Sequence, residues 1–329
     1  MHRIMNSSGE TEGLPEIWRQ QAEGLSRSGL WMTGRKPVED GGRRKNGGMD
    51  MRMHVGNEDG VGMVICAGNG IKIDMEAVKS VVKEAGKLFR DREAAGHTRT
   101  KGVADYVTEV DFAVQRFICG KLQELYPEVQ FMGEEKSNEE IDRAGLVWVL
   151  DPVDGTTNLI HDYRNSAVSL AFMDNQRIVM GIVYNPYADE MFWAAEGKGC
   201  YRNGRRVRVS GAVEMGESLI SIGTSPYYKA LAEENFPVFQ AVFTDCQDIR
   251  RTGSAALDLA NVACGRIEGY FERGLKLWDF AAGMLLVREA GGLVLDYRGA
   301  DAGTGNVSDI VAGNGRIPRI LVEEYLGRA

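Results

Sequence analysis

The sequence predicts an α+β fold built in layers, and three observations carry that prediction. Strand-length apolar runs follow one another closely between residues 146 and 210, as hairpin-linked strands do. Two amphipathic helices precede them, and two more helices, each closed by glycine, follow among short strands. Helices therefore bracket the strands rather than alternating with them one for one, which disfavours a plain parallel doubly wound sheet. At 329 residues the chain has room for one large domain or two small ones, with ample core.

Residues 1–70 stand apart. They hold 14 of the 41 glycines, nine basic and nine acidic residues, and no sustained helical or strand period. "VEDGGRRKNGGMD" (38–50) reads as flexible linker, so 1–70 is expected to be a disordered extension or an over-long translated start, with Met63 and Met75 as later methionines. Order is expected from "IDMEAVKSVVKEAGKLFRDREAAG", where Asp74 is a candidate N-cap and Ala77, Val78, Val81, Val82, Ala85 and Leu88 recur at helical spacing. A second amphipathic helix covers 111–127, ended by Pro127. Strands are predicted over 146–150, 166–173, 178–184, 190–193 and 205–210. Helices over 254–265 and 280–292 alternate with strands at 266–272, 293–297 and 310–314.

Composition narrows the function classes. A net charge of -8 argues against general nucleic-acid binding, which needs a Lys/Arg surface. The five cysteines are scattered and odd in number with no CxxC spacing, as expected of reduced thiols in a cytoplasmic protein rather than a disulfide framework or a zinc site. Two of the four histidines, His2 and His54, lie in the N-terminal tract, leaving little for histidine chemistry. No apolar run approaches the ~20 residues that span a bilayer.

The informative stretch is "LVWVLDPVDGTTNLIH" (146–161), where five apolar residues run into Asp151 and Asp154. Charge at the end of a buried strand is expensive unless something neutralises it. Pro152 fixes its own φ and pushes Asp151 towards an extended conformation, so the bend lets both carboxylates converge. Gly155 permits an unusual backbone angle, and Thr156-Thr157-Asn158 can open a helix whose free N–H groups face an anion. Two further acidic clusters can complete a cage: Glu134 and Glu135 in "FMGEEKS", and Asp279 in "LKLWDFAAG" after a buried-looking Trp278. Either could instead be a helix cap or a solvated charge. Oxygen-only ligands favour a hard cation, most naturally Mg²⁺. A fourth element, "KGVADYVTEVDFAVQ" (101–115), packs Lys101, Asp105, Thr108 and Asp111 before a helix whose N-cap Asp111 would make.

Together these four stretches resemble the inositol monophosphatase family. "DPVDGTTN" is similar to its DPxDGTxN signature, "GEE" to its metal glutamates, "WDFAAG" to its WDxAAG signature and "GSAALDLA" to its substrate-side helix. The resemblance covers residues 74–326, with every element in the family's order. It implies a layered αβαβα sandwich spanning 71–329, usually a homodimer, acting as a Mg²⁺-dependent, lithium-sensitive phosphomonoesterase on a small phosphorylated polyol or sugar. By the same resemblance, Glu134, Asp151 and the Val153 carbonyl would hold one Mg²⁺, and Asp151, Asp154 and Asp279 a second. A weaker third ion would lean on Glu134. Thr156 and Asp111 would orient and deprotonate the attacking water, with Glu135 in support. Gly155 and Thr156 N–H groups would bind phosphate, and Ala255 and Glu272 would contact the alcohol.

A haloacid-dehalogenase-type phosphatase also sets aspartates after a strand, but two positions apart; here they are three apart, which suits metal bridging. No GxxxxGK[ST] is present, and "GNG" (68–70) lacks the third glycine of a dinucleotide turn. A catalytically dead metal-binding protein remains a rival class, separated from an enzyme by turnover with Mg²⁺. Within the family, fructose-1,6-bisphosphatase activity is the main alternative to inositol monophosphate hydrolysis. "DGTTNL" in place of "DGTKEF" disfavours the nucleotide 3′-phosphatase branch, and Glu272 seven residues before Asp279 favours the inositol reading.

Overall fold

The computed structural model describes residues 63–102 and 105–327. Residues 1–62 of the predicted extension lie outside the described residues. The last eight do not belong to it: Val64–Cys66 (β1) pairs antiparallel with Lys72–Asp74 (β2). Order starts before residue 71 because Ile65 and Ile73 share one core with the first helix. That helix, Met75–Ala85 (α1), begins where the sequence places it, with Asp74 Oδ1 accepting from Glu76 N–H at 2.9 Å and Ala77 N–H at 3.3 Å. The periodic run does not continue as one helix. It tightens to a 3₁₀ turn at Gly86–Arg90, and Asp91 then caps a separate short helix, Arg92–Gly96 (α2).

Thr98–Gly102 (β3) and Asp105–Thr108 (β4) form a two-stranded ribbon leading into Glu109–Leu125 (α3). Here the expected cap is corrected. Thr108, not Asp111, is the N-cap; Asp111 is the third helical residue, and its carboxylate accepts the Thr108 N–H at 2.8 Å in a capping box.

Next come Gln130–Gly133 (β5), Leu146–Asp154 (β6), the short helix Thr156–Ile160 (α4), Ala167–Asp174 (β7), Arg177–Asn185 (β8), Glu190–Ala195 (β9), Gly199–Arg202 (β10) and Arg205–Val207 (β11). These strands make one seven-stranded sheet in the order β11-β10-β9-β8-β7-β6-β5, antiparallel except between β5 and β6. The rest of the chain supplies Leu219–Ile222 (β12), Ala232–Asp245 (α5), Asp248–Arg250 (β13), Ala255–Ala263 (α6), Gly269–Lys276 (β14), Leu277–Glu289 (α7), Leu293–Leu295 (β15) and Val307–Gly313 (β16). Its five strands run β13-β12-β14-β16-β15, and a helical turn at Ile317–Ile320 (α8) follows. The sequence reading missed α5 because Pro237 stands inside it, and β10, β12 and β13 because each is only three or four residues long.

Side-chain alternation assigns the layers. In β6, Trp148 and Leu150 face a core shared with α1 and α3, while Val147 and Val149 face one shared with α6 and α7. In β14, Tyr270 points into that second core, and Phe271 into a third with α5 and the C-terminal helical turn. The result is five layers, αβαβα. Helix α7 lies between the sheets, and its middle, Phe280–Val287, is apolar all round, as a helix buried on both sides must be. Its approach is close: a Cβ on Gly181 would stand 2.7 Å from the Ala282 carbonyl oxygen. Among the described residues no helix is long and apolar enough to cross a membrane.

Candidate active site

A cleft of about 580 Å³ opens where β6, α4, β14 and the N-termini of α6 and α7 meet. The end of β6 is irregular. Asp151 pairs with Ser169 and Asp154 with Ala167, so one extra residue is accommodated there, as in a β-bulge. That bulge re-aims both carboxylates at the cleft. Asp151 is 2% exposed and Asp154 8%. Val153 N–H donates to Asp151 Oδ1 at 2.9 Å. Gly155 then turns the chain with φ +89°, and a Cβ there would stand 3.1 Å from the carbonyl oxygens of Asn165 and Gly253. Only glycine fits.

Most of the other acidic groups in and beside the cleft accept hydrogen bonds. Asp154 Oδ2 accepts from the Ser254 hydroxyl and from Ala256 N–H at 2.8 Å. Asp279 is corrected as Asp111 was: Lys276 is the N-cap, and Asp279, third in α7, accepts its N–H at 2.7 Å. Trp278, expected to be buried, is partly so and lines the cleft. Glu134 follows β5 and accepts from Lys101 Nζ at 2.7 Å, while Glu135 accepts from the same ammonium at 2.8 Å. Glu272, on β14, accepts from Tyr270 OH at 2.7 Å and Ser225 N–H at 3.0 Å.

Electrostatics make the cluster costly. Burial, followed by the charges of Glu134, Asp154 and Asp279, holds Asp151 well above the usual carboxylate range. Burial, opposed by Lys101, raises Glu134 to about 7. Burial, opposed by the Ser254 and Ala256 bonds, raises Asp154 to about 6. Burial and the charges of Glu134 and Asp154 lift Asp279 well up. An all-oxygen, all-anionic set of this kind fits a hard divalent cation. Among the described residues no three acidic, His or Cys side chains already converge on one ligating point. Lys101 and the backbone and hydroxyl donors occupy oxygens that a cation would draw in. Glu134, Asp151, Asp154, Asp279 and the Val153 carbonyl are the groups that could hold one.

Thr156 and Asp111 meet behind this wall. The Thr156 hydroxyl lies 3.0 Å from Asp111 Oδ1 and 3.0 Å from the Val153 carbonyl oxygen, with one proton to give. Asp111 Oδ2 is fixed by Thr108 N–H at 2.8 Å and the Thr108 hydroxyl at 2.5 Å. Burial, opposed by those hydrogen bonds, raises Asp111 to about 6. Asp111 is fully buried, so it reaches the cleft only through Thr156. Glu135 does not line the cleft, but its charge adds to the rise at Asp111. Gly155, Ala255 and Glu272 all line it.

The sequence reading missed Ser254, Asp258 and Arg251 on the cleft wall. Ser254 was readable as a helix cap; its bond to Asp154, a hundred residues away, was not. Asp258 left one signal, a charge inside the apolar "SAALDLANVA".

The sequence model of the inositol monophosphatase family matches residues 69–326. The chain belongs to that family. It is 40% identical over 250 residues to the Nus factor SuhB of Escherichia coli K12, covering 75% of this chain and 92% of that one. It is 39% identical over 249 residues to the inositol-1-monophosphatase of Mesorhizobium japonicum, covering 75% and 93%. The solved structure of the extragenic suppressor protein SuhB from Bartonella henselae superposes with a TM-score of 0.69 at 34% identity, covering 76% of this chain and 98% of that one. Membership brings a metal-dependent phosphatase chemistry on a phosphorylated substrate, and the αβαβα layering is that of the family's solved structures.

Proposed function

We propose that the protein is a Mg²⁺-dependent phosphomonoesterase that hydrolyses inositol monophosphate to inositol and phosphate by direct attack of water. The observation that carries this reading is the Thr156–Asp111 pair, backed on a buried base and facing a ring of carboxylates. Bound Mg²⁺ supplies Lewis acidity, offsetting charge on the phosphoryl oxygens and making water more acidic. Glu134, Asp151, Asp154, Asp279 and the Val153 carbonyl would hold it. The rest falls to the chain's own groups. The Thr156 hydroxyl accepts a proton from the attacking water while passing its own to Asp111 Oδ1. The water oxygen bonds to phosphorus as the ester P–O bond breaks, the departing alkoxide takes a proton from solvent water, and Asp111 returns its proton to solvent through Thr156. Gly155 and Thr156 N–H groups orient the phosphate, Ala255 packs beside the ring, and Glu272 accepts hydrogen bonds from ring hydroxyls.

The Mesorhizobium relative's name supports inositol 1-phosphate as the substrate, and family membership supports lithium inhibition and a homodimer. Phosphate release from inositol 1-phosphate, fructose 1,6-bisphosphate and 3′-phosphoadenosine 5′-phosphate, with Mg²⁺ and with excess EDTA, tests the proposal. Inositol 1-phosphate should turn over fastest and only with Mg²⁺. A preference for fructose 1,6-bisphosphate would move the protein to the alternative branch, and full activity in EDTA would end the metal mechanism.

A further inference from the structure

Asp258 lies in the cleft yet takes no part in the reaction above. It is 2% exposed in the first turn of α6, and both oxygens are engaged. Oδ1 accepts from the Ser221 hydroxyl at 2.8 Å and Oδ2 from the Thr252 hydroxyl at 2.9 Å. If packing alone mattered there, an apolar residue would fill this buried helix position without the cost of burying a carboxyl group. Burial, opposed by the two hydroxyls, raises it to about 8.

Thr252 ties Asp258 to both halves of the site. Its carbonyl oxygen accepts from Asn158 Nδ2 at 2.9 Å, and Asn158 follows Thr156 by two residues in α4. In the other direction along the chain, the Ser254 hydroxyl and the Ala256 N–H donate to Asp154. Gly253 makes the turn between them with φ +85°, its carbonyl oxygen pressed on Gly155.

Resting on the phosphatase reading, we infer that Asp258 is a positioning residue: through Thr252 it fixes loop 251–254, and that loop sets both Asp154 and the Thr156 turn. Ser221 holds the other carboxyl oxygen from β12 and reaches the loop only at its edge, through the Arg250 carbonyl at 3.3 Å, so it serves as the less coupled comparison.

The test compares Asp258→Ala, Asp258→Asn, Thr252→Val and Ser221→Ala in the full chain. Small misplacements of reacting groups cost up to about 10²-fold, so Asp258→Ala and Thr252→Val should each lower kcat by about 10–100-fold, with KM changing less than about threefold. Asp258→Asn can still bond both hydroxyls and should stay within about threefold of wild type. Ser221→Ala should lower Tm without a comparable loss of kcat. Hydrogen exchange supplies a readout free of turnover: protection should fall together at 155–160 and 251–258 in Asp258→Ala and Thr252→Val. Wild-type kcat in Thr252→Val, an equal loss in Ser221→Ala, or exchange changes confined to 251–258 would overturn the inference. Should the wild type release no phosphate from any substrate, the phosphatase reading fails instead, and the exchange result still judges Asp258.

Discussion

Thr156 has one proton and two acceptors at equal distance, so it can carry a proton between the cleft and a base that the cleft does not touch. This makes the hydroxyl replaceable in shape but not in function. Thr156→Ala should lower kcat by about 10²–10⁴, the range for a lost acid–base element, with substrate binding changing far less. Single-turnover reaction in H₂¹⁸O should place the label in released phosphate; an acid-trappable phosphoaspartate on Asp151 would instead demand a covalent route. The base also sets the acid limb of activity. Asp111 works ionised, and burial raises it to about 6, so kcat should fall below about pH 6 rather than pH 4. An acid limb near pH 4, measured at saturating Mg²⁺, would show that another group limits the reaction.

Helix starts explain both what the sequence revealed and what it hid. Asp111 and Asp279 read as helix N-caps from the sequence, and both proved to be third helical residues in capping boxes. Local spacing could not separate that position from the cap, because either satisfies an orphan N–H. The β6 bend, the Gly155 turn and the start of α1 were legible because Pro, Gly and Asp impose them locally. The cleft roles of Ser254, Arg251 and Asp258 were not, since Ser254 and Arg251 bond to residues remote in sequence and one of Asp258's two partners lies on a strand too short to announce itself. The packing of α7 was hidden for the same reason. Gly283→Ala gains helix propensity, worth about 1 kcal/mol, but its Cβ would stand 2.5 Å from Leu259 Cβ. Overpacking costs of roughly 1–3 kcal/mol should win, so urea unfolding should show net destabilisation. A more stable variant would mean that α6 and α7 approach less tightly than described.

At the scale of the molecule, the carboxylate cluster opposes the fold that holds it. Asp151, Asp154, Glu134 and Asp279 all have folded-state pKa values raised above their unfolded ones. The native state therefore binds protons more tightly than the unfolded chain. The associated stability is fully present below about pH 4 and is lost as pH rises through about 6 for Asp154 and about 7 for Glu134. A cation that neutralises the ionised cluster should reverse this. Mg²⁺ should raise Tm more at pH 8 than at pH 5, and an equal rise at both, followed by calorimetry, would count against binding at these carboxylates. The N-terminal boundary can be checked in the same way. A chain starting at residue 71 should melt below one starting at 63, because it lacks β1 and the buried Ile65.

The central placement of α7 also governs how the chain meets the ribosome. The seven-stranded sheet is complete once Val207 has been made, but the helices that cover its inner face begin only at Ala255 and Leu277. At about 5–20 residues per second, that face stays uncovered for several seconds of synthesis. During this interval Val147, Val149 and Phe192 have no partner layer, while Glu134, Asp151 and Asp154 have neither Ser254 nor Asp279 beside them. Neither the core between the sheets nor the carboxylate cluster can therefore be completed until the last quarter of the chain has been made.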